Sequence, residues 1–324
     1  MTFQLSKQHT LNHPVSFVGI GLHSGVKSSI TIRPCDDGSG ITFIRKDIRA
    51  QLGTIAARWF NVVDSSLSTV IGNQYGVTVA TIEHLLAALY ACGVDNALID
   101  IDGPEVPIMD GSATNFIERI ENVGLRSTKH VRSVIKIKRP IEVRDGDKQV
   151  LFLPDNESKY TVSIDFPNTL IGRQTYSSVL GTDEFKQEIA AARTFGFKDQ
   201  IDDLKQQGLV LGGSLKNAIL IDGENVVNEE GLRYEDEFVR HKLLDAVGDL
   251  ALSGVPIIGH YYGHKPGHGI NRKLLQKIFE DQSAWDYMLM DDLKNLQGST
   301  PNYGTMRYSE FEKYQDNKMK IVGR

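Results

Sequence analysis

Short stretches in which apolar and polar residues alternate dominate the first part of the chain. β-Branched and aromatic residues recur at Val15–Ile20, Ser28–Ile32 and Gly40–Ile44, separated by glycine, aspartate and proline. This alternation predicts a meander of β-strands. Asn96–Ile101 has the same pattern and predicts a further strand.

The first helical pattern follows these strands. Apolar residues at helical spacing predict a helix over Thr81–Ala91, with Thr81 as its N-cap and Gly93 as its end. A second helix with a polar start is predicted over Gly111–Val123.

The segment Arg126–Arg132 is basic and has no apolar periodicity, and we place a domain boundary there. Beyond it, strands are predicted at Ser133–Val143, Gln149–Leu153, Tyr160–Phe166 and Pro256–Tyr262, with an apolar, strand-like stretch at Leu209–Asp222. Helices are predicted twice within residues 183–208, at Glu235–Leu252 ending at Gly254, and at Asn271–Phe279.

The order of these elements predicts an α+β fold, because strands cluster before helices instead of alternating with them. The two halves also resemble each other faintly. His84-Leu85-Leu86 and His241-Lys242-Leu243-Leu244 each lead through a helix to a Gly-Val pair and an apolar strand. We therefore predict two related domains, at 1–127 and 128–300, followed by a polar tail at 301–324.

Composition narrows the class of protein. The 324 residues include 36 Lys+Arg and 41 Asp+Glu, for a net charge of −5, with 40% hydrophobic and 24% charged residues. These values exclude a disordered, collagen-like or coiled-coil chain, and the length suits two domains. A mildly acidic chain also lacks the positive field of a general nucleic-acid binder.

The cysteine content and the termini indicate the compartment. Two cysteines, Cys35 and Cys92, cannot form a disulfide framework or a thiolate zinc cage, and they suit a reducing environment. The first residues have no apolar signal-peptide core. No stretch approaches the ~18 apolar residues of a membrane span. We expect a cytoplasmic protein.

The Glu235–Leu252 helix carries the first candidate chemistry. Glu237, His241, Asp245 and Asp249 are spaced by four residues and share one face. A solvated polar face is the simpler interpretation, but such faces normally use Lys, Glu and Gln, which form helices better than Asp and His. A His and an Asp at i and i+4 can bind one metal ion, and both are ligands that Zn²⁺ accepts.

Glu83 and His84 form the second candidate. Adjacent helical residues point about 100° apart, so one can bind a metal while the other holds the reacting water. Together with His241 and Asp245, this pair would complete a two-histidine, one-carboxylate site. The two pairs lie in different halves of the chain, so their spacing does not establish that they meet.

A third pattern is less informative. His260, His264 and His268 recur every four residues, but Pro266 and the surrounding glycines argue against a helix there. The three imidazoles need not converge. His268, expected in a loop, could reach a cleft as an acid or base, although a solvated loop histidine is the simpler interpretation. Dinucleotide, P-loop and nucleophile-elbow motifs are not matched.

Four sequence blocks are recognisable as a set. They are Thr81–Leu85, Ile108–Ser112, Ala192–Phe197 and Phe238–Leu250. They resemble the UDP-3-O-acyl-N-acetylglucosamine deacetylase family of lipid A biosynthesis, and the resemblance runs in order from about Leu11 to Tyr287. The family implies two α+β domains of similar topology, with helices packed between two sheets and a zinc site at the domain interface.

The resemblance also assigns roles to residues. It implies that one catalytic zinc ion per chain, or iron in the cell, is bound by His84, His241 and Asp245. It implies that Glu83 is the general base and that His268 is the general acid, supported by the Asp249 carboxylate. Thr194 and Lys242 would bind the oxyanion. Hydrolysis of the N-acetyl group would give acetate and UDP-3-O-acyl-glucosamine, the committed step of lipid A biosynthesis.

Substrate contacts follow from the same resemblance. An insert near 197–227 would hold the acyl chain, and its apolar residues are equally consistent with ordinary core. The predicted contacts are Ile201, Val210, Leu215, Ala218 and Leu220 for the acyl chain, Phe166 for the uracil ring, and Lys148 and Lys265 for the phosphates, with Phe195 as a further substrate-binding residue. The expected partner is this nucleotide-sugar lipid alone, with no nucleic acid and no membrane span, bound by a monomer.

Two other functions remain open at this point. The metal ligands alone would also suit a zinc peptidase or a nucleotide-sugar hydrolase of another specificity. A non-catalytic protein that binds zinc or lipid is a different class. The presence of both Glu83 and His268 argues against it, because a binding protein needs neither a base nor an acid.

Overall fold

The computed structural model describes residues 6–49, 51–167 and 170–295, and this part of the chain is a mixed α+β structure. The predicted tail at 301–324 lies outside these residues. The first nine strands are β1 Lys7–Leu11, β2 Val15–Ile20, β3 Lys27–Arg33, β4 Ile41–Arg45, β5 Thr54–Ala56, β6 Val62–Asp64, β7 Val70–Gly72, β8 Thr78–Val79 and β9 Ala97–Ile101.

The remaining elements follow in chain order. The strands are β10 Leu125–Val131, β11 Ser133–Ile137, β12 Ile141–Asp145, β13 Lys148–Leu153, β14 Ser158–Asp165, β15 Arg173–Val179, β16 Phe195–Phe197, β17 Ile219–Asp222, β18 Asn225–Val226, β19 Ile257–His264 and β20 Trp285–Leu289. The helices are α1 Glu83–Cys92, α2 Thr114–Val123, α3 Thr182–Glu188, α4 Lys198–Gln206, α5 Glu237–Leu250, α6 His268–Glu280 and α7 Met290–Asn295.

Two larger sheets organise the described chain. In the first half the strand order is β2-β3-β9-β4-β5, with β4 and β9 parallel. In the second half the order is β12-β13-β19-β11-β20, and β14 pairs with β19 and with β15. Alternate residues such as Ile30 and Ile32 are fully buried, as a sheet with one face on a core requires. One continuous apolar core includes residues from both halves, among them Phe43 and Tyr261.

Several predicted strands have different limits in the structure. The basic segment Arg126–Arg132 largely forms β10, which pairs antiparallel with β1. The single strand expected over Ser133–Val143 is divided into β11 and β12 around Pro140, which has no N–H for a ladder hydrogen bond. Residues 209–218 form turns, bends and irregular chain, and only the last four residues of the predicted stretch form β17.

The start of α1 also differs from the prediction. Its N-cap is Ile82, and Thr81 precedes it with a φ of 56°. The Thr81 hydroxyl instead donates to Glu105 Oε1 at 2.7 Å. The predicted end is confirmed, because Gly93 takes the left-handed conformation with a φ of 75°.

Helix α6 begins three residues earlier than predicted. Gly267 is its extended N-cap, so His268 lies in the first helical turn and not in a loop. Pro266 and Gly267 lie between β19 and the helix, which is where proline and an extended glycine are tolerated. His260 belongs to β19 and packs on Tyr262, so the three spaced histidines do not converge.

Helices α1 and α5 pack directly against each other. Gly248 of α5 permits the close approach, because a Cβ placed there would lie 2.0 Å from the carbonyl oxygen of Glu83. The side chains at the start of α1 therefore depend on a small residue in α5.

Replacing Gly248 with alanine should lower the thermal midpoint, although Gly→Ala inside a helix normally stabilises by up to about 1 kcal/mol. The overlap with the Glu83 backbone should cost about 1–3 kcal/mol or more. Thermal denaturation of the two proteins measures the difference. An unchanged or higher midpoint would contradict the close contact.

Candidate active site

Three side chains from α1 and α5 form a candidate metal centre. One ligand atom each from His84, His241 and Asp245 lies within 4.8 Å of the other two, and all three residues are buried. Asp245 Oδ1 is 3.5 Å from His84 Nε2 and 3.3 Å from His241 Nε2. The i, i+4 spacing of α5 and the contact between the two helices bring these atoms together.

The chemistry of these donors suits a divalent metal. Burial lowers the pKa of His241 to about 3, so its imidazole is neutral, as a ligand must be. His241 Nδ1 lies 3.0 Å from the Ala192 carbonyl oxygen, an acceptor that places the hydrogen on Nδ1 and leaves Nε2 free. Burial opposes the charge of Asp245, but the Lys242 ammonium beside it outweighs this effect and holds the pKa of this carboxyl well below its usual range.

Glu83 begins α1 beside these ligands. Its carboxylate is almost fully buried, and Oε2 accepts a hydrogen bond from the backbone N–H of Thr69 at 3.0 Å. Burial raises the pKa of Glu83, a shift that His268 and His84 partly oppose. A buried carboxylate with a raised pKa is suited to take up a proton.

His268 lies on the other side of Glu83, with 3.8 Å between Nε2 and Glu83 Oε1. Its Nδ1 is 2.9 Å from both oxygens of Asp249, and Asn271 Nδ2 donates to Asp249 Oδ2 at 2.8 Å. Burial alone would lower the pKa of His268, but Asp249 and Glu83 raise it to about 10. The imidazole is therefore protonated at neutral pH.

Lys242 and Thr194 complete the polar group. Lys242 Nζ donates to Asp245 Oδ2 at 2.7 Å, and Asp245 raises the pKa of Lys242 against the effect of burial. Thr194 N–H donates to the carbonyl oxygen of Gly111 at 2.8 Å. Gly111 has a φ of 85°, and a Cβ there would lie 2.2 Å from Asn217 O, so glycine is required at this support.

A largely apolar cavity of about 450 Å³ opens beside these groups. The predicted site residues that line it are Glu83, His84, Phe166, Thr194, Phe195, Ile201, Val210, Leu215, Ala218, Leu220, His241, Lys242, Asp245 and His268. Phe195 forms edge contacts with Phe166 and Phe238. The structure thus brings together the predicted metal, acid–base and acyl-chain residues.

The two predicted phosphate contacts lie elsewhere. Lys265 forms an ion pair with Asp147 at 2.8 Å and lies 3.6 Å from Asp165. Lys148 is exposed at the start of β13. Neither residue lines the cavity.

Several residues of the site were not identified from the sequence. His23 lines the cavity, and its buried Nδ1 has no hydrogen-bond partner among the described residues. Its loop is held by Glu105, which accepts from His23 N–H at 2.9 Å. Arg193 bonds the buried carboxylate of Glu237 and so ties the Thr194 segment to α5. The sequence offered two signals for this contact, because Arg193 is adjacent to Thr194 and Glu237 lies on the polar face of α5.

These features together define a class. Two imidazoles and a carboxylate converge beside a second buried carboxylate and a protonated histidine, and all of these residues line one cavity. This is the arrangement of a metal-dependent hydrolase.

The chain belongs to the LpxC family of UDP-3-O-acyl N-acetylglycosamine deacetylases, whose family model matches residues 8–280. It is 45% identical over 294 residues to the UDP-3-O-acyl-N-acetylglucosamine deacetylase of Geotalea uraniireducens, covering 91% of this chain and 95% of the relative. The enzymes of the same name from Myxococcus xanthus and Pasteurella multocida are 45% and 43% identical, covering 86% and 88% of this chain and 88% and 94% of their own lengths.

Proposed function

We propose that this protein hydrolyses the N-acetyl group of UDP-3-O-acyl-N-acetylglucosamine, giving acetate and UDP-3-O-acyl-glucosamine in lipid A biosynthesis. The observation that carries the proposal is the His84, His241 and Asp245 cluster, with Glu83 and His268 beside it, at an apolar cavity of about 450 Å³. Family membership and the relatives' shared name support the choice of substrate.

The two histidines and Asp245 would bind one Zn²⁺ ion, with Fe²⁺ as the alternative that the same donors accept. When bound, such an ion supplies Lewis-acid activation of water and of the acetyl carbonyl. Lys242 would keep the second oxygen of Asp245 hydrogen-bonded, so that the first oxygen faces the histidines.

The remaining residues would handle protons and developing charge. Glu83 would accept a proton from the attacking water, and His268 would donate one to the departing amine. The Lys242 ammonium and the Thr194 hydroxyl would stabilise the negative oxygen of the tetrahedral intermediate. Asp249 would hold His268 protonated and oriented through Nδ1.

The pKa of His268 yields a pH prediction. The protonated form acts as the acid, so activity should fall as the pH rises through the pKa of His268. Replacing Asp249 with asparagine removes a carboxylate that raises this pKa, and the basic limb of kcat/KM should move to lower pH. Rate profiles of both proteins measure the shift. A basic limb at the same pH in both would assign the proton donor to another group.

The apolar side of the cavity would hold the acyl chain. Each buried methylene contributes about 0.8 kcal/mol, so a long chain would dominate binding. Binding energy used to position the substrate also means that a substrate without the chain should lose turnover. This property would separate the enzyme from a general zinc peptidase or amidase.

Leu215 offers the test of this assignment, because it lines the cavity and its side chain is 42% exposed. Leu215→Glu should lose most of the preference for UDP-3-O-acyl-N-acetylglucosamine over UDP-N-acetylglucosamine, while its metal content stays unchanged. Leu211→Glu is the matched control, since Leu211 is 51% exposed in the same loop and does not line the cavity. Equal loss in both variants, or none in Leu215→Glu, would remove the acyl-chain assignment.

Phe166, in the cavity wall, would stack on the uracil ring, and Lys148 and Lys265 would approach the phosphates from outside the cavity. We also propose two domains of similar topology at 1–127 and 128–300 that sandwich helices around the site, and a monomer in the cytoplasm. The free thiols of Cys35 and Cys92 suit that compartment. In the described residues, no helix is long and apolar enough to cross a bilayer.

A further inference from the structure

We infer that Thr69 is a positioning residue that fixes the proton acceptor and the proton donor relative to each other, by hydrogen-bonding both Glu83 and Asp249. The inference deepens the proposed deacetylation and rests on it for the roles of Glu83 and His268. The geometry itself is independent of the substrate.

Thr69 lies immediately before β7 and is almost fully buried. Its backbone N–H donates to Glu83 Oε2 at 3.0 Å, and its hydroxyl donates to Asp249 Oδ1 at 2.5 Å. Its carbonyl oxygen accepts from the N–H of Ile82, the N-cap of α1. One residue therefore contacts the start of α1 through its backbone and α5 through its side chain.

The hydroxyl contact determines how Asp249 faces His268. Thr69 bonds one carboxylate oxygen and Asn271 bonds the other, while both oxygens lie 2.9 Å from His268 Nδ1. Because each oxygen is held by a separate donor, the carboxylate plane cannot rotate freely. Bonds of this kind to a carboxylate are among the stronger hydrogen bonds in proteins.

Several charged or titratable groups face His268 from the surrounding elements. Asp249 and Asp245 belong to α5, Glu83 belongs to α1, and His23 lies in the loop after β2. Thr69 bonds the carboxylate that is closest to the imidazole. Loss of its hydroxyl should let this carboxylate turn away from the imidazole. The pKa of His268 should then fall, although none of these charges is removed.

The test compares Thr69→Val with Thr69→Ser in the metal-loaded, full-length protein. Valine keeps the shape and the backbone N–H of threonine but removes the hydroxyl, whereas serine keeps both polar groups. With UDP-3-O-acyl-N-acetylglucosamine, Thr69→Val should lower kcat by about 10-fold to 100-fold, as expected when a residue that orients a reacting group is lost. KM should change less than about twofold, the basic limb should move to lower pH, and Thr69→Ser should recover most of kcat.

A second measurement needs no substrate. NMR titration of the histidine side chains should show a lower pKa for His268 in Thr69→Val than in wild type and Thr69→Ser. If wild type fails to deacetylate the substrate but this difference appears, the proposed function fails while the positioning contact stands. An unchanged His268 titration in Thr69→Val overturns the inference, as does an equal loss of kcat in both variants with an unchanged pH profile.

Discussion

Glu83→Gln should lower the rate of deacetylation by about 10²-fold to 10⁴-fold, the usual contribution of a positioned proton carrier. Glutamine has nearly the same shape, so the N–H of Thr69 can still donate to its side-chain oxygen. It cannot accept a proton from water. The metal content should stay at one ion per chain, because Glu83 is outside the group of ligand atoms.

Glu121→Gln on α2 is the matched control. The Glu121 side chain is 50% exposed and paired with Lys186, and this variant should keep the wild-type rate. The measurement is kcat beside metal analysis of each protein. Near-normal turnover in Glu83→Gln would mean that another group accepts the proton.

Asp245→Ala should lower metal affinity by more than about 100-fold, since losing an outer partner of a ligand alone costs 10-fold to 100-fold. The change removes one of the three donors. It also leaves the Lys242 ammonium without its carboxylate partner, beside the two remaining histidines. Activity should fall with the metal content and be recovered only in part by added metal.

His130→Ala is the control, because it removes a residue of a metal-binding type from the surface and not from the ligand group. The His130 side chain is 68% exposed and pairs with Asp37, and its loss should change neither metal content nor rate. Metal analysis after dialysis compares the variants. Full metal content and activity in Asp245→Ala would overturn the ligand assignment.

The candidate site could be predicted from sequence where helix geometry is local. His241, Asp245 and Asp249 share a face of α5 because residues four apart always do in a helix. Their residue types then indicated metal and proton chemistry. The adjacent Glu83 and His84 were identified from helix geometry as well, and the structure brings their side chains close to those of His241, Asp245 and His268.

Long-range packing determined what sequence could not predict. The meeting of α1 with α5 depends on Gly248 lying against the Glu83 backbone, a contact between distant parts of the chain. Thr69 contacts Glu83 through its backbone N–H, which every residue except proline carries. The residue type at position 69 therefore gave no signal for this contact. Likewise, Pro266 and the surrounding glycines argued against a helix around His268, whereas α6 begins at His268 itself.

The strands show the same contrast between local pattern, which the sequence reveals, and long-range pairing, which it does not. Alternating apolar residues located most long strands, because side-chain period is set by each strand alone. The pairing of β10 with β1 was not visible, since half-exposed strands at a sheet edge need few apolar residues.

The most direct test of the account is amine release by the purified wild-type protein, with its metal content measured in the same sample. The substrates are UDP-3-O-acyl-N-acetylglucosamine and UDP-N-acetylglucosamine, which differ only in the acyl chain. We expect about one divalent metal ion per chain, stoichiometric acetate and amine from the acylated compound, and far slower turnover of UDP-N-acetylglucosamine. Equal rates on both compounds, or no amine from the acylated one at full metal content, would contradict this expectation.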